Sequence, residues 1–241
     1  MTTGGSALGT MSKRPDSGRS SIQKYVFVVA CGRSGSTLLM GLLNAIPHFC
    51  IRGENDSALH HLFVIYDSLM ARRAAGTVGE LPVHPWFGLT NLEPDGLREG
   101  IRRFFTDEIL RPDETARVTG FKEIRYLKTD VPDLERYLAF IEETFAPCQI
   151  IVNHRELAEM ATSGFWPDTP DSDRVLAETE ARLSAIPSGP GVLHFSYDRL
   201  MTDREAQLGE LFAFLGEPYD RAAIEAVLRT PHSYQIKRSD L

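Results

Sequence analysis

A short run rich in glycine and hydroxyl side chains stands where the chain could bind a phosphate group. The run follows one apolar stretch, residues 25–30, and precedes another, residues 38–43. Its members are Cys31, Gly32, Arg33, Ser34, Gly35, Ser36 and Thr37. Glycines allow a tight turn whose amides point inward, and free N–H groups at the start of a helix bind phosphate. The order of strand, loop and helix therefore predicts an anion-binding loop, to which the hydroxyl groups of Ser36 and Thr37 add donors.

The positive charge of this loop comes from an arginine, not from the lysine of a nucleotide-binding P-loop. In the pattern G-x-x-x-x-G-K-[ST] a lysine precedes the last hydroxyl residue, and Ser36 stands at that position here. Arg33 instead offers a forked set of donors that suits two oxygens of a phosphate or sulfonate group. The other interpretation is a tight turn with an N-capping serine. The strand, the arginine and the hydroxyl groups together favour a bound anion.

Residues 32–39, Gly-Arg-Ser-Gly-Ser-Thr-Leu-Leu, resemble the 5′-phosphosulfate loop of sulfotransferases that use 3′-phosphoadenosine-5′-phosphosulfate (PAPS). The nearest pattern, Arg-Ser-Gly-[ST]-Thr, is that of the tyrosylprotein and carbohydrate sulfotransferases. The resemblance implies a P-loop-like α/β fold, PAPS as the co-substrate and PAP as the product. It also implies that residues 32–37 bind the 5′-phosphosulfate.

An arginine and a serine farther along the chain stand at the spacing that this family uses for the 3′-phosphate. Ser163 follows Arg155 by eight positions, as in the family's Arg-x7-Ser motif. The resemblance implies that both side chains bind the 3′-phosphate, with Ser163 on or near a helix that begins by Glu156. Glu156 and Leu157 depart from the usual Arg-[ND]-[PG], so the local turn stays open. Without the motif, the pair is a surface arginine and a helix serine.

A Gly-Glu pair within residues 52–55 is similar to the catalytic Gly-Glu of tyrosylprotein sulfotransferases. In-line sulfuryl transfer needs a base near the acceptor, and a partly desolvated carboxylate can take that proton. The resemblance thus implies that Glu54 is the base. A solvated loop glutamate is the other interpretation, and His48, His60 and His61 are rival bases because histidine titrates in the useful range.

Residues 120–125, Gly-Phe-Lys-Glu-Ile-Arg, are similar to the Gly-Phe-Lys-Glu segment of bacterial family members. The resemblance implies that Lys122 aims its ammonium at the sulfonate and at the bridging oxygen, where negative charge builds as the leaving group departs. Arg33 is expected to share this catalytic role. The alternative is a lysine at a strand edge that pairs with Glu123 or Asp133.

Two weaker signals lie in the last third of the chain. Residues 195–200 resemble the family's Tyr-Glu-x-Leu element, which places Tyr197 near the adenine, although a core tyrosine fits equally well. The tail offers Lys237, together with Ser233 and Arg238, as a flap over the 3′-phosphate.

These residues need a scaffold, and the hydrophobic pattern predicts an α/β fold in which helices flank a central parallel sheet. Continuous apolar runs of strand length occur at residues 25–30, 148–152 and 192–195. Helical patterns occur at residues 57–75, 95–110, 134–145 and 208–215. Alternation of the two indicates βαβ units. We expect a disordered arm at residues 1–24 and a single domain at residues 25–241.

Composition excludes several classes of protein. The formal net charge of −7 argues against a protein that coats nucleic acid or an anionic membrane. The three cysteines show neither a disulfide framework nor metal-ligand spacing, so we expect no metal and a reducing compartment. No apolar run approaches the roughly 18 to 20 residues that span a bilayer, and the chain is predicted to be cytoplasmic.

The hypothesis is in-line transfer of the sulfuryl group of PAPS to a hydroxyl or amine group, with Glu54 as the base. A P-loop kinase or NTPase is the first alternative. It is disfavoured because the loop lysine is missing and because the strand at residues 148–152 has no acidic residue after it to organise magnesium, although Asp198 follows the third strand. A non-catalytic nucleotide-binding module is the second alternative, but such a module needs neither Glu54 nor Lys122.

The acceptor cannot be read from the sequence. A small metabolite, a glycan, a lipid and a peptide all fit. Four aromatic residues are candidates for lining an acceptor cleft, with core or lid packing as the alternative; they are Tyr66, Trp86, Phe87 and Trp166.

Overall fold

The computed structural model describes residues 22–76 and 79–230, and within these ranges five parallel strands form one sheet in the order β2-β3-β1-β4-β5. The strands are β1 (Lys24–Ala30), β2 (Phe49–Arg52), β3 (Val118–Glu123), β4 (Cys148–His154) and β5 (Val192–Ser196). Helices cover both faces of the sheet. The predicted α/β fold class is confirmed.

Nine α-helices lie in the described part of the chain. They are α1 (Ser36–Asn44), α2 (Ala58–Ala74), α3 (Pro94–Phe104), α4 (Leu134–Thr144), α5 (Leu157–Ala161), α6 (Ser172–Ser184), α7 (Tyr197–Thr202), α8 (Arg204–Leu215) and α9 (Arg221–Arg229). Helix α3 continues as a π-helical segment over Phe105–Leu110. The long predicted helices correspond to α2, α3 with its π-helical segment, α4 and α8.

The composition of the central strand β1 explains why helices pack on both faces of the sheet. Its residues 25–30 are all buried, and successive side chains point to opposite faces of the sheet. Val26 and Val28 belong to the hydrophobic core under α1, α8 and α9, whereas Phe27 and Val29 belong to the core under α2, α3, α4 and α6. A strand buried on both faces must be continuously apolar, which is why this run was recognisable.

Strands β2 and β3 were not predicted. Strand β2 has only four residues and ends in a charged one, and β3 contains Gly120, Lys122 and Glu123. The glycine is required because a Cβ at Gly120 would lie 1.7 Å from the carbonyl oxygen of Val26 on the neighbouring strand. A strand with so little apolar side chain gives a weak periodic signal although all six of its residues are buried.

Two predicted segments concern the ends of the chain. Of the predicted arm at residues 1–24, residues 1–21 lie outside the described residues. Lys24 already belongs to β1. The proposed flap at Ser233, Lys237 and Arg238 also lies outside the described residues. None of the helices in the described ranges is both long and apolar enough to cross a membrane.

Candidate active site

The carboxyl ends of the five parallel strands meet at one edge of the sheet, where they surround a cleft. Each strand, or the loop after it, contributes lining residues, as expected for an open α/β sheet. The lining residues are Arg33, Gly35, Ser36, Thr37, Leu38, Glu54, Lys122, Ile124, Arg155, Phe165 and Tyr197. Eight of these are residues that the sequence singled out, and Leu38, Ile124 and Phe165 are new.

The glycine loop turns sharply from β1 into α1. Gly35 has a φ of 82°, and Arg33 has a φ of 71°, a left-handed conformation that is costly for a residue with a side chain. In the part of the chain that the structure describes, the amide N–H groups of Gly35, Ser36 and Thr37 have no hydrogen-bond acceptor. These donors, with the positive end of the α1 dipole, form a site suited to an anion.

Three side chains from distant elements hold the carbonyl oxygens of residues 32–34. The donors are Nε1 of Trp166 to residue 32 (2.9 Å), Nη1 of Arg155 to residue 33 (3.1 Å) and Nδ2 of Asn153 to residue 34 (2.8 Å). The carbonyl and the following N–H point in opposite directions in a trans peptide. These bonds therefore fix the direction of the amides of residues 33–35. Trp166 and Asn153 were not predicted to have this role.

Tyr197 packs directly on the loop. A Cβ at Gly35 would lie 2.2 Å from Cδ2 of the Tyr197 ring, so only glycine fits under it. On the ring of Tyr197, the guanidinium of Arg155 lies 4.6 Å from the centroid, a cation–π contact. The predicted anion-binding loop and Arg155 are thus joined through one aromatic ring.

Arg33 and Ser163 contact one another at the β4 side of the cleft. Nε of Arg33 donates to Oγ of Ser163 at 3.0 Å, and the arginine side chain crosses Gly164, where a Cβ would lie 2.6 Å from Cδ. Helix α5 ends at Ala161, so Ser163 lies just after the helix and not on it. The structure therefore brings two predicted cofactor ligands within hydrogen-bonding distance of each other.

Lys122 and Glu54 form an ion pair at the β2 and β3 side of the cleft. Lys122 is 4% exposed, and its Nζ donates to Oε1 of Glu54, whose side chain is 43% exposed. Among the residues that the structure describes, the ion-pair partner of Lys122 is therefore Glu54, and neither Glu123 nor Asp133 takes this place. The side chain of Lys122 is therefore buried in the protein, whereas that of Glu54 is open to solvent.

The rival histidine bases do not line the cleft within the described ranges. Nδ1 of His48 lies 3.1 Å from the carbonyl oxygen of Thr115. His60 packs edge-on against the ring of Tyr137, and burial, with a smaller contribution from His61, lowers its pKa. The structure therefore leaves Glu54 as the base candidate that contacts the cleft.

The four aromatic residues considered as candidates for an acceptor cleft do not line the cleft described here. Tyr66 packs on Phe140, and Trp86 lies under the guanidinium of Arg72. Phe87 is exposed, and Trp166 is buried behind the loop. Core or lid packing was the other interpretation of these four residues, and the aromatic lining of this cleft comes instead from Phe165 and Tyr197.

The described residues contain no group of three or more His, Cys, Asp or Glu side chains arranged to hold a metal ion. Asn153, near the end of β4, donates to Oγ of Ser34 at 2.9 Å as well as to its carbonyl oxygen. Cys31, at the start of the loop, is buried, and burial raises the pKa of its thiol to about 12. It is therefore a thiol at neutral pH and a poor nucleophile.

His154, the last residue of β4, is held by a chain of hydrogen bonds behind the cleft. Its Nδ1 lies 2.6 Å from Oε1 of Glu180, and its Nε2 lies 2.7 Å from Nδ1 of His194. Nε2 of His194 is 2.8 Å from the carbonyl oxygen of Ile186. Carbonyl and carboxylate oxygens only accept, so each end of this chain of hydrogen bonds receives an N–H from an imidazole ring.

Replacing Glu180 by Gln is expected to cost stability at neutral pH and less as the pH falls. Burial raises the pKa of Glu180, but hydrogen bonds and charge from His154 together lower it below the ordinary 4.5. A lowered carboxyl pKa contributes stability that is lost as the pH falls through the folded value. We expect the variant to lose about 1 kcal/mol of unfolding free energy at pH 7, the difference between a charged and a neutral hydrogen bond. Urea denaturation at pH 7 and below about pH 4 measures the change.

Glu178→Gln is the matched control for this measurement. Glu178 lies on the same helix, and its weak ion pair with Arg174 is exposed. We expect a change below about 0.5 kcal/mol at either pH. A loss in Glu180→Gln that does not shrink on acidification would contradict the role assigned to the carboxylate charge.

A family model described as the sulfotransferase family matches residues 25–221. The sulfotransferase domain of the Synechococcus PCC 7002 olefin synthase is 17% identical, with a TM-score of 0.50 over 91% of this chain and 81% of that one. A mouse sulfotransferase complexed with PAP is 13% identical (TM-score 0.47; 88% and 64% covered). Sulfotransferase STF1 of Mycobacterium tuberculosis is 14% identical (TM-score 0.42; 90% and 74% covered). A comparison with curated proteins finds no match. The first of these structures shares the fold of this chain.

Proposed function

The chain belongs to the sulfotransferase family, and from this premise we propose that it moves the sulfuryl group of PAPS to a hydroxyl or amine group by in-line displacement. It is an enzyme of the PAPS-dependent class. One observation carries the proposal: the free amides at the start of α1 and the Lys122–Glu54 ion pair line the same cleft. An anion held by the former therefore lies in the cleft that the ion pair also lines.

The nucleotide is proposed to lie across the carboxyl ends of β1 and β4. Residues 32–37 bind the 5′-phosphosulfate through backbone amides and hydroxyl groups, and Arg33 adds its charge. Arg155 and Ser163 bind the 3′-phosphate, and Tyr197 borders the adenine. Support comes from the contacts of Arg33 with Ser163 and of Arg155 with Tyr197, which hold these side chains at one end of the cleft. Lys237, which lies outside the described residues, is proposed to cover the 3′-phosphate.

The proposed chemistry uses the other end of the cleft. The acceptor oxygen or nitrogen attacks sulfur while the bond from sulfur to the 5′-phosphate oxygen breaks, and the bonding electrons leave with PAP. The acceptor proton passes to Glu54. Lys122 and Arg33 offset negative charge on the sulfonyl and leaving oxygens. Positioning and electrostatics supply the acceleration, because no covalent intermediate on the enzyme is required.

The acceptor is proposed to enter from the β2 side, because Glu54 is the partner of the ion pair that faces solvent. Ile124 and Phe165 give the cleft an apolar component. A hydroxyl or amine group on a small molecule, a glycan, a lipid or a peptide satisfies the chemistry.

PAP is expected to raise the melting temperature more than ADP or AMP does, without added metal. A ligand that binds only the folded state stabilises it by about 2.7 kcal/mol at 100 times its Kd. For a domain of this size that corresponds to a shift of about 5 °C or more. ADP lacks the 3′-phosphate, so its shift at the same concentration should be much smaller. Thermal denaturation with each nucleotide, with and without Mg²⁺, measures the difference.

Ser163→Ala tests the origin of the PAP preference. Loss of one hydrogen bond to a charged group is expected to weaken the binding of PAP by about tenfold and to leave the affinity for ADP unchanged. Glu159→Gln, which alters the exposed partner of Arg155, serves as a control with little effect on either nucleotide. Stabilisation by ATP and Mg²⁺ that exceeds that by PAP would instead support a phosphotransferase.

A further inference from the structure

A buried carboxylate beside the ion pair has no part in the reaction proposed above. Glu123, the last residue of β3, is 3% exposed and accepts four backbone hydrogen bonds. Its Oε2 accepts from the amides of Asn55 (3.2 Å) and Ser57 (3.1 Å). Its Oε1 accepts from the amides of Ile124 (2.8 Å) and Arg125 (3.3 Å). One side chain therefore joins two segments of the chain that are nearly 70 residues apart.

Those two segments carry the ion pair. Glu54 is bonded directly to Asn55, whose amide Glu123 holds, and Lys122 directly precedes Glu123. The side chain of Glu54 is otherwise largely exposed and lies in a loop after β2. A loop carboxylate that is free to move loses rotational freedom when it must meet one ammonium. Fixing the backbone on its C-terminal side reduces that loss.

The loop between Glu54 and α2 is held in an unfavourable backbone conformation. Asp56 and Ser57 have φ values of 55° and 59°, in the left-handed region that residues with side chains rarely adopt. Such conformations persist only where surrounding contacts hold them. This turn directs the amide of Ser57 to Glu123, and the carboxylate is the acceptor that the turn requires.

We propose that Glu123 is a positioning residue, which holds the loop after β2 so that Glu54 meets Lys122 in the geometry needed for proton transfer. The inference rests on the proposed function, since it assigns Glu123 through the role of Glu54. A carboxylate suits the position because both of its oxygens only accept. Glutamine has the same shape but turns an NH₂ group toward one pair of backbone donors, so it breaks two of the four hydrogen bonds.

The test compares Glu123→Gln with Asp56→Asn. Both variants remove one negative charge near Glu54, but the Asp56 side chain is 85% exposed and pairs only with Arg125 at 3.0 Å among the described residues. The rate of PAP release from PAPS is measured in single turnovers at neutral pH with phenol as the probe acceptor, because a phenolic hydroxyl with a pKa of about 10 keeps the proton that Glu54 must take. Calorimetric titration gives the Kd of PAP. We expect Glu123→Gln to slow release by about 10- to 100-fold with the Kd of PAP within threefold, and Asp56→Asn to change neither by more than threefold.

A double-mutant cycle separates positioning from a general structural effect. Residues that act as one unit show non-additive losses. In the Glu54→Gln background, Glu123→Gln is therefore expected to cause less than a twofold further loss. An equal loss in both backgrounds, an unchanged rate in Glu123→Gln alone, or a PAP affinity that falls as much as the rate would each overturn the inference.

A measurement on the unmodified chain keeps the inference testable even if Glu123→Gln fails to fold. Amide hydrogen exchange followed by NMR should show slow exchange at Asn55 and Ser57 and faster exchange at Asp56 between them, whose amide has no acceptor among the described residues. Uniformly fast exchange would show that Glu123 does not hold the loop. Absence of PAP binding and of PAP release by the unmodified chain would count against the proposed function, whereas protected amides would still show the contact.

Discussion

Replacement of Glu54 by Gln is expected to slow sulfuryl transfer by about 10²- to 10⁴-fold, the usual contribution of a positioned general base. Glutamine keeps the size of the side chain and can still accept a hydrogen bond from Lys122, but it cannot take the acceptor proton. PAP affinity should stay within about threefold, because Glu54 follows β2, which is separated by β3 from β1 and its glycine loop and lies farther still from β4 and Arg155. Single-turnover transfer to a panel of phenols, sugars and amines, combined with PAP titration, measures both quantities.

Asp56→Asn again provides the matched control for Glu54→Gln. It removes a charge two residues away without touching the ion pair, and the transfer rate should stay within threefold of the unmodified chain. Full single-turnover transfer by Glu54→Gln would show that the base is another group. The described histidines would be poor replacements, because His48, His60 and His61 do not line the cleft.

Much of the fold was predictable because short stretches of the sequence indicate which strands and helices form. Strand β1 is continuously apolar, and the stripe that begins at Leu134 repeats with helical spacing along α4. The loop between β1 and α1 was recognisable because glycines and hydroxyl groups stand between a buried strand and a helix. These signals need no knowledge of distant residues.

The parts that escaped prediction depend on contacts between distant residues. Asn153 and Trp166 donate hydrogen bonds to loop carbonyl oxygens that are 119 and 134 residues away in sequence. Neither residue type by itself indicates such a contact. Glu123 entered the sequence analysis only in the alternative interpretation, as one possible partner of Lys122, yet it accepts hydrogen bonds from backbone amides of the loop after β2. The lysine pairs instead with Glu54, 68 residues earlier. Spacing in the sequence predicted eight of the residues that line the cleft, but not the contacts that hold them.

Gly35→Ala is expected to weaken PAP binding by at least 100-fold. An alanine at a φ of 82° costs about 1–2 kcal/mol, and its methyl group would stand 2.2 Å from Cδ2 of Tyr197. The ring cannot retreat freely, because Arg155 lies on it at 4.6 Å and also holds the carbonyl oxygen of Arg33. Relief of the clash must therefore displace the loop whose amides bind the anion, or Arg155, or both. Calorimetric titration with PAP measures the loss.

Gly88→Ala separates the steric effect from the backbone effect. Gly88 has a φ of 86°, nearly that of Gly35, but a Cβ there meets no atom within 4 Å. This control should lose about 1–2 kcal/mol of unfolding free energy from the left-handed conformation alone, with PAP affinity unchanged within twofold. Gly35→Ala should lose more stability than the control because it adds the collision with Tyr197. If the two variants lost equal stability and both kept their affinity for PAP, the close packing of Tyr197 on the loop would have no part in binding the nucleotide.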